Sequence, residues 1–318
     1  MILMEYANIA SLAQKIKENI GKVIVGKDDQ IELVLTALLS GGHVLLEDMP
    51  GTGKTTLAKS LAGSMDCGFA RVQFTPDLLP ADITGMRIFE QQSGTFTFIK
   101  GPAFTNILLA DEINRATPRT QSALLECMEE RQISEGGITY KLDEPFLVIA
   151  TQNPVETQGT FPLPEAQLDR FLMRLSLGYP DHAEAVTMMR RFINRQPLAE
   201  IIPVTTGDEV KEAAALCRSC RVDDDVMDYM AALCEAARNP DKVRLGPSPR
   251  AMLALMRCSQ AYASIRGRDY VIPDDVKALT VSVLSHRIIL RGIHHGASSE
   301  NFVRELLDTV PVPTEKRV

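Results

Sequence analysis

The stretch Leu45-Leu46-Glu47-Asp48-Met49-Pro50-Gly51-Thr52-Gly53-Lys54-Thr55-Thr56 passes from an apolar strand through a glycine-rich turn into the start of a helix. That order is the signature of a phosphate-binding loop. Gly51 and Gly53 let the backbone approach a polyphosphate, the helix start directs its free N–H groups at the same point, and Lys54 adds a positive charge. Thr55 offers a hydroxyl to Mg²⁺. One position departs from the usual G-x-x-x-x-G-K-[ST] spacing: Asp48 stands where glycine is expected. Aspartate tolerates unusual backbone angles, so the departure bears on the start of the loop more than on the phosphate contacts of residues 51–56. A dinucleotide fold is disfavoured because position 56 is threonine rather than a third glycine.

Working outward, short apolar runs at residues 43–47, 69–74, 107–111, 146–151 and 172–177 alternate with helical segments. Buried strands separated by helices predict a parallel α/β sheet of five strands. Ile9, Leu12, Ala13, Ile16 and Ile20 fall at helical spacing, as do Ile31, Val34, Leu35, Leu38 and Leu39, so two amphipathic helices precede the loop. Residues 86–89 with 95–99, and 132–134 with 138–140, read as two inserted β-hairpins. After Gly178-Tyr179-Pro180 helical patterns take over, at 181–194, 208–220, 224–237, 249–265, 273–290 and 299–308. The expected division is a nucleotide-binding core over residues 1–178 and a smaller all-α lid over 179–318.

Asp111 and Glu112 end a buried strand, and their adjacency suits a division of labour in which Asp111 holds the magnesium shell and Glu112 polarises a water. That pair favours hydrolysis over transfer to a hydroxyl. Asn153 ends the next strand, where it either orients the water or simply makes a turn before Pro154. Arg170 precedes the fifth strand, as a surface ion-pair partner or as an arginine finger reaching a neighbouring subunit's nucleotide. Arg250 lies in the first turn of a helix capped by Ser248 and opened by Pro249, a poor place for a cation unless an anion is near.

Of 318 residues, 45% are hydrophobic and 24% charged, with a net charge of −7, which suits a soluble protein and gives no broad attraction to nucleic acid or anionic membrane. No apolar run approaches bilayer length and no signal peptide is apparent, so the cytoplasm is the expected location. The six cysteines are scattered, as expected of reduced thiols. Cys217 and Cys220 form a C-x-x-C pair with no second pair at metal spacing, and are read as helix packing. Phe96 and Phe98 share one face of the first hairpin, for packing on the α/β body rather than for a client.

Taken in order, the segments 45–61, 110–116 with 120–126, 151–154 with 161–171, and 248–251 resemble the AAA+ ATPases, and specifically the MoxR family, over roughly residues 20–292. The resemblance implies Walker A at Pro50, Gly51, Thr52, Gly53, Lys54, Thr55 and Thr56, and Walker B at Asp111 and Glu112. It further implies sensor 1 at Asn153, the arginine finger at Arg170 and sensor 2 at Arg250, acting on its own or on a neighbouring subunit's nucleotide. Val25 and Gly26 match the adenine border, with Tyr179 joining them. The hairpins match the helix-2 insert and the hairpin before sensor 1. Such relatives use ATP and Mg²⁺, form rings, typically hexamers, and resemble chaperones that remodel or load partner complexes, commonly beside a partner with a von Willebrand factor A domain. A magnesium-chelatase-type subunit is the related alternative, and an ATP-gated scaffold with little turnover the alternative of another class.

Overall fold

The computed structural model describes residues 4–92, 94–153, 155, 159–292 and 298–313. Two helices come first, α1 (Tyr6–Gly21) and α2 (Asp28–Leu39), and each buries the apolar stripe that its spacing predicts. They lead to β1 (Val44–Glu47), the phosphate-loop turn and α3 (Lys54–Ser64). Next come β2 (Phe69–Gln73), α4 (Pro80–Thr84), the hairpin β3 (Gly85–Glu90) and β4 (Thr95–Lys100), and β5 (Ile107–Asp111). Helix α5 (Pro118–Glu130) precedes the second hairpin, β6 (Gln132–Glu135) and β7 (Ile138–Lys141), followed by β8 (Leu147–Gln152), α6 (Glu165–Leu168) and β9 (Met173–Leu175).

The five-stranded sheet has the order β2-β5-β8-β1-β9, and every pairing in it is parallel. Both faces are covered. Leu46, Ile107, Leu109 and Ile149 pack under α1, α2, α3 and the C-terminal helices, whereas Leu45, Leu108, Ala110 and Val148 pack under α5 with Leu124, Leu125 and Met128. This explains why the strands read as unbroken apolar runs.

The remaining helices are α7 (His182–Phe192), α8 (Gly207–Cys217), α9 (Asp224–Ala236), α10 (Pro249–Ile265), α11 (Pro273–Leu284) and α12 (Ser299–Thr309). The helix expected over 273–290 stops at Leu284. A 3₁₀ turn at Ser285–Arg287 follows, then β11 (Ile289–Leu290), which pairs antiparallel with β10 (Val243–Leu245). The helical lid thus carries a short ribbon as well. Arg287 accounts for the break: it is only 6% exposed, and its guanidinium donates to Asp169 Oδ1 at 2.7 Å and to the carbonyls of Phe171 at 2.6 Å and Leu172 at 3.2 Å. A buried arginine must find partners for its fixed fork of donors, and here they are in the turn before β9.

His43, at the foot of β1, is also buried. The Val148 N–H donates to Nδ1 at 2.9 Å, so Nε2 carries the proton and donates to the Met128 carbonyl at 3.0 Å. Burial pulls its pKa down from 6.5 to about 4, and burial lowers that of His286 as well. The unfolded chain binds protons that the folded chain refuses between pH 6.5 and 4, so stability is complete above that window and is lost as the pH falls through it. Urea unfolding should therefore lose roughly 3 kcal/mol through His43 across the window. His43→Asn should flatten the slope, and an unchanged slope would contradict this role.

Candidate active site

The phosphate loop leaves β1 at the carboxyl edge of the sheet, where ligands of open α/β sheets bind. Gly51 and Gly53 have φ of 86° and 93°, left-handed values that exclude most side chains, and Gly53 starts α3. Lys54 Nζ lies on the loop's own backbone, donating to the Asp48 carbonyl at 2.9 Å and the Met49 carbonyl at 3.4 Å. Thr52 Oγ1 donates to the Met49 carbonyl at 3.3 Å.

Asp48 does not relieve an unusual backbone angle, since its φ is not positive. Instead its carboxylate, 5% exposed, accepts from Ser176 Oγ at 2.7 Å, Leu177 N at 2.8 Å and Gly178 N at 3.0 Å. Glycine offers no such acceptor. Asp48 therefore ties the start of the loop to the segment that leaves β9, a pairing 130 residues apart in sequence.

A cavity of about 420 Å³ opens beside the loop. Pro50, Gly51, Gly53, Lys54, Thr55 and Thr56 line one side. Arg71, Gln73, Asp111, Glu112, Thr151 and Asn153 line the other. Register explains the gathering: β2, β5, β8 and β1 run in parallel, so Gln73, Asp111, Thr151 and the loop reach the same edge. Thr151 Oγ1 donates to Asp111 Oδ1 at 2.6 Å and accepts from the Glu112 N–H at 2.8 Å. Arg71 donates to Asp111 Oδ2 through Nε at 3.1 Å and Nη2 at 2.7 Å. Gln73 Nε2 donates to Glu112 Oε2 at 2.8 Å, and Arg115 Nε lies 3.0 Å from the same oxygen. Glu112 has φ 57° and ψ 49°, a left-handed conformation that is strained for a side-chain-bearing residue. The Thr151 bond to its N–H helps hold that conformation.

Arg170 and Arg250 are not in this cavity. Arg170 Nη1 lies 3.1 Å from Glu129 Oε2 and Arg250 bonds Glu129 Oε1, so one carboxylate of α5 holds both. They line a separate cleft with His43 and Leu172 at the amino ends of β1 and β9, where Leu172 N donates to the His43 carbonyl at 2.8 Å. β1 spans 4 residues. The two edges are thus about 13 Å apart along the strand at about 3.3 Å per residue.

The ATPase family associated with various cellular activities (AAA) matches residues 43–173, and the AAA lid domain matches 235–306. "Chaperone MoxR1" of Mycobacterium tuberculosis is 42% identical, over 96% of this chain and 84% of its own length. The chain belongs to the MoxR family of AAA+ ATPases. YeaC of Bacillus subtilis is 45% identical over 96% of both chains. A crystal structure of a candidate ATPase from Cytophaga hutchinsonii superposes with a TM-score of 0.89 at 39% identity, covering 97% of each chain.

Within this MoxR-family fold, the adenine-border residues stand outside the cavity lining. Gly26, with φ 68°, lies against Glu184, and Lys27 Nζ donates to the Tyr179 carbonyl at 3.1 Å. Val25 is half-buried beside Gly26, and the Tyr179 ring is 66% exposed. Ile24 packs toward Gly53, which places the segment at the cavity's flank. Cys217 and Cys220 are buried, and burial pushes both thiols up to about 11, away from thiolate chemistry. Phe98 stacks on Tyr140 with centroids 4.3 Å apart, whereas Phe96 is 59% exposed and lies against Phe89 and Arg87 of the paired strand β3. No described helix is long and apolar enough to cross a membrane.

Arg71, Gln73 and Glu129 lie outside the motif segments, and Thr151 opens one of them without a role of its own in the sequence reading. For Arg71, Gln73 and Thr151 the signal is their place in or near the end of a strand, whereas Glu129 is on α5. Thr151→Val keeps the shape but leaves Asp111 Oδ1 and the Glu112 N–H without their shared partner, at a cost of about 1–3 kcal/mol. Phosphate release should fall at least as strongly as thermal stability in this variant. Normal turnover with an unchanged melting temperature would contradict the bridging role.

Proposed function

We propose that the chain hydrolyses ATP in the 420 Å³ cavity and couples hydrolysis to remodelling, assembly or cofactor loading of a partner protein complex. The observation that carries the reading is the convergence of the phosphate loop, both carboxylates, Thr151 and Asn153 on one cavity, with two arginines gathered at the opposite edge of the same sheet.

The residues present fit ATP with Mg²⁺: left-handed glycines, a helix start and Lys54 for phosphates, and hard oxygen donors at Thr55 and Asp111 for the metal. When bound, Mg²⁺ with ATP supplies a polarised γ-phosphate. The N–H groups at the start of α3 bind the phosphates, and Lys54 exchanges its bonds to the Asp48 and Met49 carbonyls for phosphate oxygens. Asp111 accepts from Arg71 and Thr151 and retains lone pairs for coordination, since an ionised carboxylate has about four acceptor sites. Glu112, released from Gln73 and Arg115, takes the proton of the attacking water, and Asn153 orients that water.

Arg170 and Arg250 lie at the amino edge of β1 and β9, so we assign both to the nucleotide of a neighbouring protomer in a ring, hexameric by family resemblance. The functional division falls at Gly178, between a core of residues 1–178 and a lid of 179–318. The name "Chaperone MoxR1" of a relative supports the remodelling role. A partner with a von Willebrand factor A domain and a cytoplasmic location complete the reading, and a role on nucleic acid is disfavoured by the net charge of −7.

Glu112→Gln should keep ATP bound and lose about 100-fold or more of turnover. Arg170→Ala should lose about 1,000-fold or more while keeping nucleotide affinity and assembly. Steady-state phosphate release with a nucleotide-binding titration checks both, and near-normal turnover in either variant would overturn the corresponding role.

A further inference from the structure

Strand β2 lies at the edge of the five-stranded sheet, and Arg71 and Gln73 fall on one face of it by the two-residue alternation of a strand. Gln73 is in register with Asp111, whereas Arg71 is in register with Leu109. The Arg71 side chain therefore runs along the strand to reach the carboxylate. It arrives side-on, with Nε at 3.1 Å and Nη2 at 2.7 Å from Asp111 Oδ2. Nη2 also donates to Gln73 Oε1 at 3.0 Å, which fixes the plane of the guanidinium from a second side.

The two partners of Asp111 differ in kind. Thr151 supplies a neutral hydroxyl to Oδ1, whereas Arg71 places a full positive charge on Oδ2. Lone pairs remain on the carboxylate, but its single negative charge is already matched. A divalent cation held by the same carboxylate would sit beside a like charge, and that repulsion is felt at distances of a few ångströms. Arginine suits such a post, since its guanidinium stays charged at any ordinary pH and is weakly hydrated. Stability gives it little reason to be there: the Arg71 side chain is 47% exposed, and ion pairs that wet contribute little to folding. What the pair alters is the charge at the wall of the cavity, which both residues line.

We propose that Arg71 competes with Mg²⁺ for Asp111 and thereby sets how far the metal strengthens nucleotide binding. The proposal rests on the reading of the cavity as a site for ATP with Mg²⁺. While the guanidinium is paired with Asp111, it shields that carboxylate from the phosphates and also from the metal. Mg²⁺ takes full hold of Asp111 only as the guanidinium gives way, and the exposed side of the edge strand leaves it room to do so. Arg71 is in this sense a positioning residue for the metal.

Calorimetric titration of the full chain with the β,γ-imido analogue of ATP, once with Mg²⁺ and once with EDTA, gives the ratio of the two affinities. Arg71→Gln should widen that ratio by roughly threefold to tenfold, because an unpaired Asp111 repels the bare triphosphate and attracts the metal more strongly. Arg71→Lys keeps the charge and should stay near the parent ratio. In an Asp111→Asn chain, adding Arg71→Gln should leave the ratio where Asp111→Asn alone puts it. An unchanged ratio in Arg71→Gln would overturn the competition, as would equal weakening with and without Mg²⁺, which would make Arg71 a phosphate ligand. Widening that persists beside Asp111→Asn would overturn it too. A parent that does not bind the analogue with Mg²⁺ would overturn the reading of the cavity and the competition with it.

Discussion

All five strands of the central sheet run in one direction, and the placement of the phosphate loop, Asp111, Glu112, Asn153 and Arg170 follows from that polarity. Residues that follow strands gather at the carboxyl edge: the phosphate loop after β1, Glu112 after β5 and Asn153 after β8. Residues that precede strands gather at the amino edge, which is where Arg170 meets Arg250. Arg170 leads directly into β9, so within one protomer it stands at the opposite edge of the sheet from the phosphate loop. Polarity thus turns a local motif into an argument for assembly.

Two buried charged groups tie distant segments of the chain together. Arg287 bridges the end of α11 to the turn before β9, and Asp169 of that turn also accepts from Ser248 Oγ, the cap of α10, at 3.0 Å. Arg170 follows Asp169 directly, and Arg250 lies in the first turn of the helix whose cap bonds Asp169. Asp48 makes the second junction, between the phosphate loop and the chain leaving β9. Its backbone carbonyl accepts from Lys54 while its side chain accepts from the Gly178 N–H. Removing Asp169 would leave the buried Arg287 guanidinium without its carboxylate, an uncompensated buried charge.

Much of this was legible in the sequence. The five buried strands and the helices at Ile9 and Ile31 follow from apolar periodicity, and Lys54, Asp111 and Glu112 from contiguous motifs whose chemistry depends on near neighbours. What was not legible depends on residues far apart. Arg71 and Gln73 are polar positions of a half-exposed strand until β5 is placed beside them. Glu129 is one glutamate among several on α5 until two arginines from distant segments converge on it. Asp48 was read as a backbone irregularity because its partners lie about 130 residues away. The extension of α11 to Leu290 was misread because Ile288, Ile289 and Leu290 continue an apolar pattern, and only the partners of Arg287 show why the helix stops.

The central claim is that each active site takes its loop and carboxylates from one protomer and its arginines from the next. Mixing Glu112→Gln chains with Arg170→Ala chains tests it, because a site formed by the loop of the second and the arginines of the first is intact. Steady-state phosphate release should be near zero for each variant alone and should reappear on mixing, toward about a quarter of the wild-type rate at equal proportions if neighbours pair at random. A mixture as inactive as its components, with mixed rings shown to form, would contradict the claim.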